Sequence, residues 1–144
     1  MTYNKMKPSR IDRKLFDIDL AHAEIQEELI AEIFTNKKLE VKTEMGDWLK
    51  TKNLVIEYKC AGKLSGISTT DSDFWVQNLM LDGELFMTMI FPTPILKALL
   101  KKGRFRRVRG GDGNASEIIL LNVHGMFKEE IIKQIIEDVK KENN

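Results

Sequence analysis

The chain has 144 residues, 42% of them hydrophobic and 31% charged. That is the size and mixture of a single ordinary globular domain, which commonly runs to about 100–150 residues. One cysteine, Cys60, and two distant histidines, His22 and His124, give no disulfide framework and no zinc-ligand spacing. With no secretory signal and no run near the roughly 20 apolar residues of a membrane span, a soluble intracellular protein is expected, with no membrane partner.

Residues 1–12, with Lys5, Lys7, Pro8 and Arg10, read as a flexible basic arm. Asp17 or Asp19 can cap a helix from about residue 20 to 35. Ile25, Leu29, Ile30, Ile33 and Phe34 recur at helical period and form its expected buried stripe. Glu24, Glu28 and Glu32 fall opposite, and Glu27 lies at the edge of the stripe.

Lys38 to Glu44 alternates in the strand manner, with Glu40, Lys42 and Glu44 on one side. A turn around Met45 to Lys52 leads to a second strand, Leu54 to Cys60, in which Val55, Glu57 and Lys59 share a face and Cys60 lies on the core face. The two strands are expected to pair antiparallel. Gly62 to Thr70 is a polar, glycine-bearing loop. Phe74 to Met80 and Leu85 to Ile90 read as a hairpin around Asp82-Gly83, with Trp75 a core residue. Pro94 opens a helix with Ile95, Leu96, Leu99 and Leu100 on its apolar stripe, and Gly103 stops it. A basic run and a flexible Gly110–Asn114 segment precede a strand at Ile118 to Val123. A last helix over about 126–141 buries Ile131, Ile132, Ile135, Ile136 and Val139. Its isoleucines can serve a partner copy as readily as its own core, so a homodimer is open. The expectation is an α/β or α+β domain: a helix, a mixed sheet of about five strands, and two further helices.

Between Glu84 and Asp112 there is no acidic residue, and the interval holds Lys97, Lys101, Lys102, Arg104, Arg106, Arg107 and Arg109. A cluster of that density attracts polyphosphate through its local field even at a net charge of +1. A solvated loop is the plainer account.

Glu40 and Glu57 on one side of a hairpin would repel, and one would resist ionising unless a cation came between them. Mg²⁺ takes carboxylate oxygens, water and substrate phosphate. It can acidify a bound water and stabilise charge developing on phosphate, while a lysine alongside orients or neutralises. Acid-x-lysine with a second acid across the strands therefore suits phosphodiester hydrolysis. From spacing alone, a salt-bridge ladder on an exposed sheet face is the simpler reading.

Three segments follow one another in order: Glu40-Val41-Lys42-Thr43-Glu44; Lys52-Asn53-Leu54-Val55-Ile56-Glu57; and Gly62-Lys63-Leu64-Ser65-Gly66-Ile67 ahead of Phe74-Trp75. Over about residues 16 to 80 this resembles the PD-(D/E)xK nuclease superfamily, in particular small phage and prophage nuclease-like proteins. These carry an E-V-K-T strand, a T-G-N-x-x-I-E strand and a G-K-P-S-G-I loop before a tryptophan. The resemblance implies a restriction-endonuclease-like core, a single nuclease domain over residues 1–144 and a cytoplasmic setting in a bacterium or phage-infected cell.

It further implies Mg²⁺ or Mn²⁺ held by Glu27, Glu40 and Glu57, with Lys42 as the catalytic lysine. Lys63, Ser65, Thr69 and Thr70 would lie near the phosphates of a nucleic acid, DNA before RNA. From the charge pattern, Lys101, Lys102, Arg104, Arg106, Arg107 and Arg109, with the N-terminal arm, are expected to grip its backbone without reading sequence. The chain departs from the pattern with Lys52 for glycine, Leu64 for proline and Ala23 for a helix glycine, and no Pro-Asp precedes Glu40. A second register therefore stays open, with Glu57-Tyr58-Lys59 as the acid-x-lysine element and Lys59 catalytic. A non-catalytic nucleic-acid-binding module of the same fold is the alternative function, and a domain binding an acidic protein partner a third.

Overall fold

The structure, a computed structural model, describes residues 10–144, with side chains from Leu20 onward. The expected basic arm lies largely outside the described residues. Two compact units are distinguished, Met1–Lys37 and Lys38–Asn144. In the first, helix α1 spans Arg10–Ile33. It therefore runs through both aspartates expected to cap it. Among the described residues, its unit holds no second element to bury a stripe against. Ile25, Leu29, Ile30 and Phe34 are exposed, and so is Glu27.

The second unit is mixed α+β. Its elements are β1 (Leu39–Glu44), α2 (Asp47–Thr51), β2 (Asn53–Cys60), β3 (Lys63–Leu64), β4 (Phe74–Leu81) and β5 (Glu84–Pro92), then α3 (Thr93–Lys102), β6 (Arg106–Gly110), β7 (Ser116–Asn122), α4 (Val123–Met126) and α5 (Glu129–Glu142). The described residues thus hold five helices and two sheets, ordered β1-β4-β5 and β3-β2-β7-β6. One mixed sheet with two further helices was expected.

The larger correction concerns pairing. β1 and β2 form no hairpin. β1 pairs parallel with β4, and β2 pairs antiparallel with β7. Alternation reveals which side chains share a face but carries no information about the partner strand. The basic run also forms a strand, β6, paired with β7. The β4–β5 hairpin is as expected, with Asp82 and Gly83 both at positive φ.

One core joins the sheets. Leu54 and Ile56 of β2, Trp75 and Leu79 of β4, and Ile119 and Leu121 of β7 pack with α3 through Leu96, Leu99 and Leu100 and with α5 through Ile135. β1 is inverted relative to that core. Its apolar Leu39 and Val41 are exposed while Glu40, Lys42 and Glu44 are part-buried. A strand that turns its charges to the sheltered side needs partners for them there.

Candidate active-site cleft

The partners of β1's charged face are found along the seam between the two sheets. A cleft of about 270 Å³ is lined by Lys42 and Glu44 of β1, Val55 and Glu57 of β2, Trp75 and Gln77 of β4, and Ser116 of β7. Lys42 and Glu57, expected on two strands of one hairpin, thus meet from different sheets.

Lys42 is held on two sides. Its ammonium lies 2.7 Å from Glu40 Oε1 and 5.7 Å from the centroid of the Trp75 ring. It also helps to lower the proton affinity of Glu57. Trp75 is fully buried, as expected for a core residue.

Glu57 is fixed by two hydroxyls. Ser116 donates to Oε2 at 2.6 Å and Ser65 to Oε1 at 2.7 Å. These hydrogen bonds, Ser116 first, and then the charge of Lys42 hold its carboxyl below the ordinary value. Ser65 reaches Glu57 because the loop after β3 lies flat on β2. The Ser65 N–H donates to the Tyr58 carbonyl at 3.1 Å, and Ser68 Oγ donates to the same carbonyl at 2.9 Å. Gly66 makes this possible. At φ +53 it favours glycine, and a Cβ there would stand 2.2 Å from the Glu57 carbonyl oxygen.

Glu44 closes the seam. Val55 N–H, on the edge of β2 turned away from β7, donates to Oε1 at 2.8 Å, and the Gln77 side-chain amide donates to Oε2 at 2.9 Å. Gln77 in turn accepts from the Trp75 indole N–H at 2.9 Å. A carboxylate thus satisfies a backbone donor that the split between the sheets would leave unpaired. Burial raises the proton affinity of Glu44, and the bonds from Gln77 and Val55 oppose that shift.

The lysine alternatives separate at a β-bulge. Glu57 stands opposite Ile118, but Lys59 stands opposite Glu117, with the register shift between them. Neighbours on β7 project to opposite faces, so Lys59 is turned away from the face that carries Glu57. Cys60, opposite Ser116, comes round to the Glu57 face instead of the core face expected for it. Lys42 is the lysine that lines the cleft with Glu57.

Other expected residues are dispersed. Thr70 donates to Ser72 Oγ at 2.9 Å, and Ser72 meets Thr93 Oγ1 at 3.0 Å, so its hydroxyl serves an internal chain. Thr69 ends the short 3₁₀ turn Gly66–Ser68, and Lys63 is exposed on β3. Lys101 and Lys102 end α3, with Lys102 3.3 Å from Asp138. Arg104 precedes β6, and Arg106, Arg107 and Arg109 belong to it. Glu27 belongs to the first unit. Among the described residues no three His, Cys, Asp or Glu side chains gather as a metal-binding group.

Sequence reasoning missed Glu44 and Gln77 as members of this cleft, and read Ser116 as a loop cap sooner than as a residue that could touch a substrate. Glu44 was legible, since it follows Glu40 and Lys42 at period two. The other two depend on pairings with no local signal. Comparison with protein-family models, curated proteins and solved structures gave no match.

Proposed function

We propose that the chain is a metal-dependent nuclease with a restriction-endonuclease-like core, hydrolysing phosphodiester bonds, most readily in DNA. The observation that carries this reading is the Lys42 ammonium, paired with Glu40 beside the Trp75 ring and lining one open cleft with Glu57. Turning three charged side chains to the part-buried side of a strand carries a desolvation cost, lessened by solvent at Lys42 and Glu40.

The donor set fits a hard cation. The acids of the cleft offer only carboxylate oxygen, and Glu57 is held ionised by two hydroxyls and a nearby ammonium. Mg²⁺ or Mn²⁺ commonly needs one or two such carboxylates, the rest of its shell being water and substrate phosphate. Glu57 and Glu40 would hold it, and when bound it would supply an acidified water and a Lewis acid for the phosphate.

The chain's own groups divide the remaining work. A carboxyl of lowered proton affinity is a poor general base and a good ligand, so Glu57 orients rather than abstracts. The Lys42 ammonium faces the charge that builds on a non-bridging phosphate oxygen during attack. Trp75, through its ring face, and Glu40 hold that ammonium beside the cleft.

The test is incubation of labelled linear and four-way DNA with the protein and Mn²⁺. Wild type should cleave, and Glu57→Gln and Lys42→Met should each lose at least about a hundredfold while binding DNA. Undiminished cleavage by both variants would remove the cleft from the reaction. A non-catalytic nucleic-acid-binding module is the second reading, favoured by the Glu40–Lys42 pair, which occupies one candidate ligand. Calorimetric titration with Mn²⁺ separates the two, since only the nuclease requires a site that Glu57→Gln abolishes.

A further inference from the structure

The ladders sort the basic run by face. Residues opposite one another across strands project to the same side. Glu57, Ile118 and Val108 form one row across β2, β7 and β6, and Val55, Leu120 and Arg106 form the next. These rows are two residues apart, so they share a face of the four-stranded sheet. Arg107 stands opposite Ile119 and Arg109 opposite Glu117, on the reverse face. There the Arg107 guanidinium lies 5.1 Å from the centroid of the Tyr58 ring.

The Glu57 face does not end at its own cleft. Beyond Val55 and Ile118 it runs into a second cleft of about 470 Å³, lined by Asn53, Leu120, Arg104, Arg106, His124 and Lys128. Among the described residues no acidic side chain lines it. From Glu57 to Arg106 the sheet geometry gives roughly 7 Å along the strands and roughly 10 Å across them. The direct span is near 12 Å, about three to four nucleotides of duplex rise.

We propose that Arg104, Arg106 and Lys128 hold the backbone phosphates of a nucleic-acid strand whose scissile bond lies at Glu57, and that Arg107, Arg109 and Lys101 do not contact that strand. The proposal rests on the nuclease reading for the position of the scissile bond. The division stands on the strand registers for Arg106, Arg107 and Arg109, and on separate cleft linings for Arg104 and Lys128 against Lys101 and Arg107.

Two double variants of equal charge change test it, R104E/R106E and K101E/R109E. Equilibrium binding of a fluorescent duplex oligonucleotide is measured in EDTA at several salt concentrations, so that no cleavage intervenes, with thermal melts to check folding. R104E/R106E should weaken binding at least about tenfold and lower the salt slope by about two, one for each phosphate no longer neutralised. K101E/R109E should weaken it less than about threefold. Equal losses, a larger loss for K101E/R109E, or no salt-sensitive binding by wild type would each overturn the proposal. If R104E/R106E fails to fold, the single variant K128E carries the same comparison. Binding that divides by face without any cleavage in Mn²⁺ would sink the nuclease reading alone and leave this site standing as a nucleic-acid surface.

Discussion

Glu44 and Glu57 line the same cleft and each accepts two hydrogen bonds, yet their surroundings move them in opposite directions. Glu44 sits in the seam between the sheets, where burial raises its proton affinity against the pull of Gln77 and Val55. Glu57 stands at the open mouth, where Ser116, Ser65 and then Lys42 lower it. The difference teaches which carboxylate serves the fold and which is kept charged for something outside it. A clamp needs acceptors and tolerates a proton. A ligand for a cation needs its charge.

Substitution should separate the two roles. Under the nuclease proposal, Glu57→Ala, the largest expected effect, should lower cleavage by at least about a hundredfold yet cost under about 1 kcal/mol of stability, since water replaces its partners. Glu44→Ala does the reverse. It strands the Val55 N–H and the Gln77 amide in a part-buried seam and should cost about 2–3 kcal/mol. Chemical denaturation and a cleavage time course on both proteins decide this, and matching losses in both assays would erase the distinction.

Gly66→Ala tests the same division from the loop. Positive φ strain and a Cβ against the Glu57 carbonyl must be relieved together, at about 2–4 kcal/mol. Because the loop supplies Ser65 to Glu57, whatever folded protein remains should also cleave poorly. A folded, fully active Gly66→Ala would show that the loop does not set the position of Glu57.

The pH dependence follows with its sign. Glu57 has a lowered value in the folded chain, so its contribution to stability is present above the ordinary carboxylate value and lost as pH falls through the lowered one. Glu44 has a raised value, so its contribution is fully present at acid pH and declines as pH rises through the raised value. Glu44→Gln mimics the protonated acid and should gain stability relative to wild type as pH rises from mildly acid to neutral. Ser65→Ala with Ser116→Ala should move the acid limb of cleavage to higher pH. Unfolding midpoints and initial rates across that range test both, and a fixed acid limb would disconnect the serines from the reacting charge.

Much of this arrangement can be read along the chain. The stripe Leu96, Leu99 and Leu100 announces α3, and period two places Glu40 and Lys42 on one face of β1. The pairings are not local properties. β1 finds β4 rather than β2, and nothing in Leu39–Glu44 encodes that choice. The bulge beyond Glu57 depends on how β7 aligns, so Val55, Glu57 and Lys59 look equivalent until the ladder is known. Arg106 to Arg109 looks like a solvated loop because arginine hides the strand pattern that its pairing with β7 completes.

The turn into β2 is legible locally, and its backbone gives the reason. Lys52 stands where the resembled group carries glycine, and its φ is 59, in the left-handed region, as it ends α2 and leads into β2. Glycine adopts that conformation without the clash of a Cβ, so Lys52→Gly relieves native strain while loosening the unfolded chain. The Lys52 side chain also donates to the Leu49 carbonyl at 2.5 Å, a bond the glycine forfeits. These terms nearly cancel and leave a change within about 1 kcal/mol, the smallest effect expected here. Because the Lys52 carbonyl accepts from Val123 N–H at 2.8 Å and not from the cleft, cleavage should be unaltered. A large loss of activity with little loss of stability would mean that the turn, and not only the seam at Glu44, sets how β2 presents Glu57.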